Sequence, residues 1–295
     1  MRGELIRERL HSGERVYGTQ VCSLTNSLTA TMQALLEYDF AFICNEHVPI
    51  GRTETAMMCQ FYAAHGISPV VRIPRPQAHW ATMALDGGAQ GIVAPYLESV
   101  EEARQMVGAV KYRPIKGRML REILDGRRRP APKTVDFLNR FNRNNYLIIG
   151  VESVAAYEAL DALLAVRGVD GVFVGPHDLT VSMEVPEEYG HPEFRRVLKD
   201  IIRRSRAAGL GVGAHFSQGA VSDEVFNELM DEGMNWILYG ADVSLLVTEM
   251  RARLAAFRRR MGDKYVTDAD TTVEPSSCLS TTLEPEQGDS EDPKR

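Results

Sequence analysis

The chain is poor in cysteine, with four in 295 residues, and Cys22, Cys44, Cys59 and Cys278 form no C-x-x-C pair. With no signal-peptide pattern at the start, that scarcity leads us to expect a reduced, cytoplasmic protein without structural disulfides. Long apolar runs are missing too. None approaches the roughly 18 residues that span a bilayer, so no membrane partner is expected. Excess positive charge is absent: the net charge is −6, which argues against a general nucleic-acid binder. What remains is 44% apolar, enough for a sizeable core, and 25% charged, as in ordinary globular proteins.

Apolar periodicity stops near residue 265. From there the chain reads VTDADTTVEPSSCLSTTLEPEQGDSEDPKR, rich in Ser, Thr, Pro and acids with almost nothing to bury. A folded domain over 1–264 and a disordered, acidic tail over 265–295 are expected.

The folded part is organised around residues 146–180. Two β-branched runs, 147–151 and 172–174, flank Ala155, Leu160, Leu163 and Leu164 at helical spacing, which predicts a strand–helix–strand unit. Glu152 follows the first strand directly, and Asp178 lies in the loop after the second. Parallel neighbours bring their C-terminal ends together, so the two acids can meet at one rim. Such a pair suits a hard divalent cation, or serves as helix caps.

Taken in order, a short helix through Leu5, Ile6 and Leu10 precedes strands at 16–23, 40–44, 69–72 and 92–94. Thr53 is a candidate cap for a helix whose inward face carries Met57, Phe61 and Ala64, and Ser99 with Glu102 reads as a capping box. Residues 111–143, basic and broken by Pro114, Pro130 and Pro132, read as a long irregular insertion. It could attract an anionic substrate or contact another subunit. Strands at 211–215 and 236–239 and a helix over 242–260 complete eight strand–helix alternations. This predicts an α/β fold of the (β/α)8 (TIM) barrel type. An open doubly wound sheet would carry a glycine-rich phosphate turn after the first strand, and VYGTQVCSLTN is not one.

Barrel enzymes place their chemistry at strand C-termini. Here those positions hold Glu46 and His47, Arg72, Glu152 and Asp178, with Asp86 just ahead of strand four. They read as an acid–base candidate, a cation and a metal site.

In this order, Asn45-Glu46-His47, Pro69-Val70-Val71-Arg72, Leu85-Asp86-Gly87-Gly88-Ala89-Gln90-Gly91, Val151-Glu152-Ser153, Gly171–Leu179 (GVFVGPHDL) and Tyr239-Gly240-Ala241-Asp242 resemble the HpcH/HpaI aldolase family. The resemblance covers nearly all of 1–262. It implies a metal-dependent class II 2-oxo-acid aldolase, a lyase that reversibly cleaves a 4-hydroxy-2-oxo acid to pyruvate and an aldehyde through a metal-stabilised enolate. By the same resemblance, Glu152 and Asp178 hold Mg²⁺, Mn²⁺ or Co²⁺, and Arg72 stabilises the enolate. His47, supported by Asp86 and next to Glu46, moves the proton. Gly150, Gly175, Pro176 and His177 line the substrate, and the chain forms a homo-oligomer, a hexamer in many relatives. Four features depart from the family pattern: Cys44 where an acid is usual, Gly150 where a longer side chain is usual, His177 where a small residue is usual, and Lys116-Gly117-Arg118-Met119 after strand four. They leave open a decarboxylating or condensing enzyme that draws its enolate from oxaloacetate, as in relatives resembling macrophomate synthase or citrate-forming enzymes. A non-catalytic metabolite-binding relative and a CoA-thioester lyase stay open as well.

Overall fold

In the computed structural model, which describes residues 2–216 and 220–263, eight parallel strands follow one another around a barrel. They are β1 (Val16–Val21), β2 (Phe40–Cys44), β3 (Ser68–Arg72), β4 (Gly91–Ala94), β5 (Tyr146–Val151), β6 (Gly171–Val174), β7 (Gly211–Ala214) and β8 (Trp236–Ala241). Each pairs in parallel with its sequence neighbour from β1 to β7, and β1 also pairs with β8. The β7–β8 seam is closed by Asn235 instead of a ladder. Its backbone N–H donates to the Val212 carbonyl at 3.0 Å, and its side-chain oxygen accepts from the Val212 N–H at 3.0 Å. The (β/α)8 expectation holds.

Alternation along each strand divides the core in two. Outward residues such as Ile43, Val71, Ile92, Leu147 and Val172 pack under the helices. Inward residues, Phe40, Phe42, Val70, Tyr146, Ile148, Phe173 and Trp236 among them, fill the barrel. Phe42, Phe173 and Trp236 form an aromatic plug with ring centroids 5.7–5.9 Å apart. The plug closes the barrel floor beneath the strand C-termini.

Several local expectations are corrected. The insertion over 111–143 is not irregular: it holds the helices Gly117–Leu124 and Pro132–Phe141, the second begun by a proline at its first turn. The prolines there start or separate helices instead of preventing them. The segment between β5 and β6 forms two short helices, Val154–Glu158 and Leu160–Leu164. In the helix Arg52–Ala64 the cap is Gly51, and the buried stripe is Thr55, Met58, Cys59 and Tyr62, with Met57 exposed. Both stripes repeat at helical spacing. The buried one won because the Thr55 hydroxyl is satisfied by the Gly51 carbonyl and the Asn45 amide. The capping box at Ser99 and Glu102 forms as expected.

Cys44 and Cys59 are free and buried, but Cys22 is disulfide-bonded, which corrects the expectation of no disulfide. The tail expected from 265 onward lies outside the described residues. Among the described residues no helix is long and apolar enough to cross a membrane.

Candidate active site

The residues singled out at the strand ends meet over the aromatic plug. Arg72, the last residue of β3, is 7% exposed, and its guanidinium lies over the rings of Phe42 and Phe173 at 5.5 and 5.8 Å. Cys44, the last residue of β2, stands beside it in register. Its sulfur accepts from Arg72 Nε at 3.3 Å, from Arg72 Nη2 at 3.1 Å and from the His47 backbone N–H at 3.3 Å. Glu46 Oε2 is 3.1 Å from Arg72 Nε and 3.6 Å from His47 Nε2. Neither approach has hydrogen-bond geometry, so that buried oxygen has no donor.

Glu152 follows β5 and is 2% exposed. Its Oε2 accepts from the Tyr96 backbone N–H at 3.0 Å, while its Oε1 is buried without a partner. Gly175 follows β6, and a Cβ there would sit 2.9 Å from Glu152 Oε1, so only glycine lets the carboxylate rest against that loop. Pro176 and His177 open the helix Pro176–Ser182, which also carries Asp178. Asp178 Oδ1 accepts from the Tyr96 hydroxyl at 3.3 Å. His177 points its Nδ1 at Glu187 Oε1, 3.3 Å away. Gly150 packs against the end of β4: a Cβ there would lie 2.9 Å from the Pro95 Cα and 3.3 Å from the Glu152 carboxyl carbon.

Asp86 is not brought to this group within the chain. It ends the helix Ala78–Asp86 with its side chain 63% exposed, paired with Arg113. Helices of a parallel barrel run opposite to its strands. The C-terminus of a helix therefore lies at the far end from the strand C-termini, and position just before strand four is no guide to the rim.

Four residues escaped the reading of the sequence. Tyr96, two residues past β4, touches both acids and holds a left-handed backbone at φ +52°. Applying the strand-end rule to β4 would have found it. The same rule applied to β7 would have found His215, and inward alternation marks Phe42 and Phe173 as the shelf under Arg72.

The electrostatics follow from burying two acids, Glu46 and Glu152, beside one cation. Burial pushes Glu46 up to about 7 against the pull of Arg72, and Asp178 raises it further. Burial likewise raises Glu152 to about 7, with Arg72 opposing and Glu46 assisting. Burial, then the Arg72 charge, lowers the His47 imidazole, and the same two causes push His215 down to about 4. Burial would lower the Arg72 guanidinium, but Cys44 and Glu46 beside it prevail and its pKa is raised.

Among the described residues no cluster of three or more His, Cys, Asp and Glu is placed to hold a metal. Glu152 and Asp178 nevertheless fit a hard cation. They are oxygen donors bridged by one tyrosine, one buried carboxylate oxygen is unpaired, and Mg²⁺ commonly takes one or two carboxylates with water and substrate oxygens.

A parallel eight-stranded barrel with acids, an arginine and a histidine at its strand C-termini defines a barrel enzyme of the aldolase class. The chain belongs to the HpcH/HpaI aldolase/citrate lyase family, whose model matches residues 22–248. It is 32% identical over 252 residues to the 2-keto-3-deoxy-L-rhamnonate aldolases of Salmonella gallinarum and Escherichia coli K12, covering 85% of this chain and 92% of each relative. A HpcH/HpaI aldolase/citrate lyase family protein from Burkholderia cenocepacia superposes with a TM-score of 0.72 at 26% identity, over 86% of this chain and 99% of the other.

Proposed function

We propose that the chain is a divalent-metal-dependent 2-oxo-acid aldolase that cleaves a 4-hydroxy-2-oxo acid to pyruvate and an aldehyde, and runs in reverse. The observation that carries this reading is the convergence of Glu46, Arg72, Glu152 and Asp178 on one rim, with carboxylate oxygens buried and unpaired. Glu152 and Asp178 would hold the cation, Mg²⁺, Mn²⁺ or Co²⁺, which supplies Lewis-acid polarisation of the 2-oxo acid.

The protein's own groups do the rest. In cleavage the proton of the C4 hydroxyl passes to His47 and the C3–C4 bond breaks. Its electron pair moves toward C2, and negative charge collects on the keto oxygen. Arg72, fixed on its aromatic shelf, presents a permanent positive charge to that oxygen without having to reorganise. A His47 held below its ordinary pKa is neutral near pH 7 and able to accept the proton. Glu46 stands between His47 and Arg72, its Oε2 3.6 and 3.1 Å from them, and places a carboxylate beside both. The free aldehyde leaves, and protonation at C3 completes pyruvate. Gly175, Pro176 and His177 border the acid-bearing loop and are proposed to line the substrate. Gly150 enters only as the room that lets Glu152 stand where it does.

A homo-oligomer is part of the proposal. The helix Asp242–Met261 buries no residue and exposes Leu246, Val247, Met250, Leu254, Phe257 and Met261, a stripe too apolar for water alone. A cytoplasmic setting is proposed with it, resting on the free thiols of Cys44 and Cys59; the bonded Cys22 stands apart from that expectation. Isothermal calorimetry with Mn²⁺ tests the centre. Glu152→Ala and Asp178→Ala are each expected to abolish binding and turnover in a folded barrel. Wild-type Mn²⁺ affinity in both variants rejects the assignment.

A further inference from the structure

The inner edge of Arg72 meets a sulfur. Cys44 is fully buried, and its sulfur accepts both the Nε and the Nη2 of Arg72 together with the backbone N–H of His47. A single sulfur atom thereby ties the cation to the segment that carries the imidazole. The rings of Phe42 and Phe173 lie against the guanidinium. Sulfur at one edge and aromatic rings along its face leave the guanidinium little freedom, and Nη1 makes no bond to the protein among the described residues. The carboxylates of Glu46 and Glu152 both pull on the same charge. Glu46 Oε2 already lies 3.1 Å from Nε without hydrogen-bond geometry, so without an acceptor at position 44 nothing competes with that carboxylate for the Nε–Nη2 edge.

We propose that Cys44 is a positioning residue. Its sulfur sets the angle of the Arg72 guanidinium and the path of the chain at His47, so that the cation faces the substrate and does not turn into a fully hydrogen-bonded pair with Glu46 or Glu152. The inference rests on the aldolase reading for its effect on turnover, but not for its effect on geometry. It also separates two properties that a buried side chain usually couples. Valine at 44 fills the space and lacks an acceptor. Serine keeps an acceptor but is smaller and puts a hydroxyl into the core.

The experiment compares Cys44→Val and Cys44→Ser with the full-length wild type, loaded with Mn²⁺. Oxaloacetate decarboxylation serves as the turnover assay, with thermal unfolding and a crystal structure of each variant alongside. Cys44→Val is expected to lose on the order of 10-fold or more in kcat with little change in KM, because a misaimed charge acts on the transition state more than on binding. Cys44→Ser should recover most of that loss, although it unfolds at the same or a lower temperature than Cys44→Val. The crystal structures should show the guanidinium turned onto Glu46 or Glu152 in the valine variant and in place in the serine variant. Activity that follows thermal stability, with serine no better than valine, overturns the proposal. So does an unmoved guanidinium in Cys44→Val. If the wild type itself turns over no 2-oxo acid, the functional reading fails, and the guanidinium positions still decide the role of Cys44.

Discussion

The backbone N–H of Tyr96 is hydrogen-bonded to Glu152 Oε2 at 3.0 Å, and Tyr96 takes up a left-handed conformation, φ +52°, to make that bond. A non-glycine residue rarely adopts such a backbone without compensation. Here the compensation is that the same residue also reaches Asp178 with its hydroxyl. The loop after β4 therefore holds two acids that come from different strands.

Tyr96→Phe is expected to weaken Mn²⁺ binding by about 10-fold, since groups that orient metal-binding side chains commonly contribute that much. The fold should be unaffected because the ring is half-exposed. Calorimetry measures it, and an unchanged affinity would mean that the phenol is a bystander.

The pH dependence of the metal-free protein carries a definite sign. Glu46 and Glu152 are both raised from 4.5 to about 7, chiefly by burial. Between those values the folded chain keeps protons that the unfolded chain has released, so stability falls as pH rises through the window. Thermal melts in a chelator should therefore drop between about pH 5 and pH 8, and Glu46→Gln should flatten the drop. A slope in Glu46→Gln as steep as in the wild type would show that Glu46 is ionised throughout.

Arg72→Ala should lower kcat on the order of 10²-fold or more, because a preorganised charge at a developing oxyanion is lost. Arg72→Lys should recover only part. Its ammonium cannot meet both Cys44 and the substrate as the planar guanidinium does. Steady-state kinetics decide, and near wild-type turnover in the alanine variant would remove Arg72 from the chemistry.

His47→Ala divides the mechanism. Mn²⁺ and pyruvate binding should persist, while aldol cleavage falls about 10²–10⁴-fold for want of a base. Oxaloacetate decarboxylation has no hydroxyl proton to remove and should suffer much less. Equal losses in both reactions, measured on one preparation, would assign His47 to positioning.

Much of this molecule was legible in its sequence. Inward and outward residues alternate along every strand because a barrel buries both faces of its sheet, so Phe40–Cys44 and Tyr146–Val151 announced themselves as continuous apolar runs. Strand ends carry the acids and the arginine because the chain leaves the barrel at its mouth, so Glu46, Arg72 and Glu152 could be named in advance. Periodicity could not choose between the two apolar stripes of Arg52–Ala64, since the choice lay with hydrogen bonds from Asn45. Nor could it place Asp86, whose distance from the rim depends on helix direction and not on sequence separation. The pairing of Cys44 with Arg72, the reach of Tyr96 to two acids and the aromatic shelf under the guanidinium join residues 28 to 131 positions apart. Local pattern carries no record of contacts at that range. They exist because the register of β2 on β3, and of β4 beside β5 and β6, sets those side chains at one height around one axis.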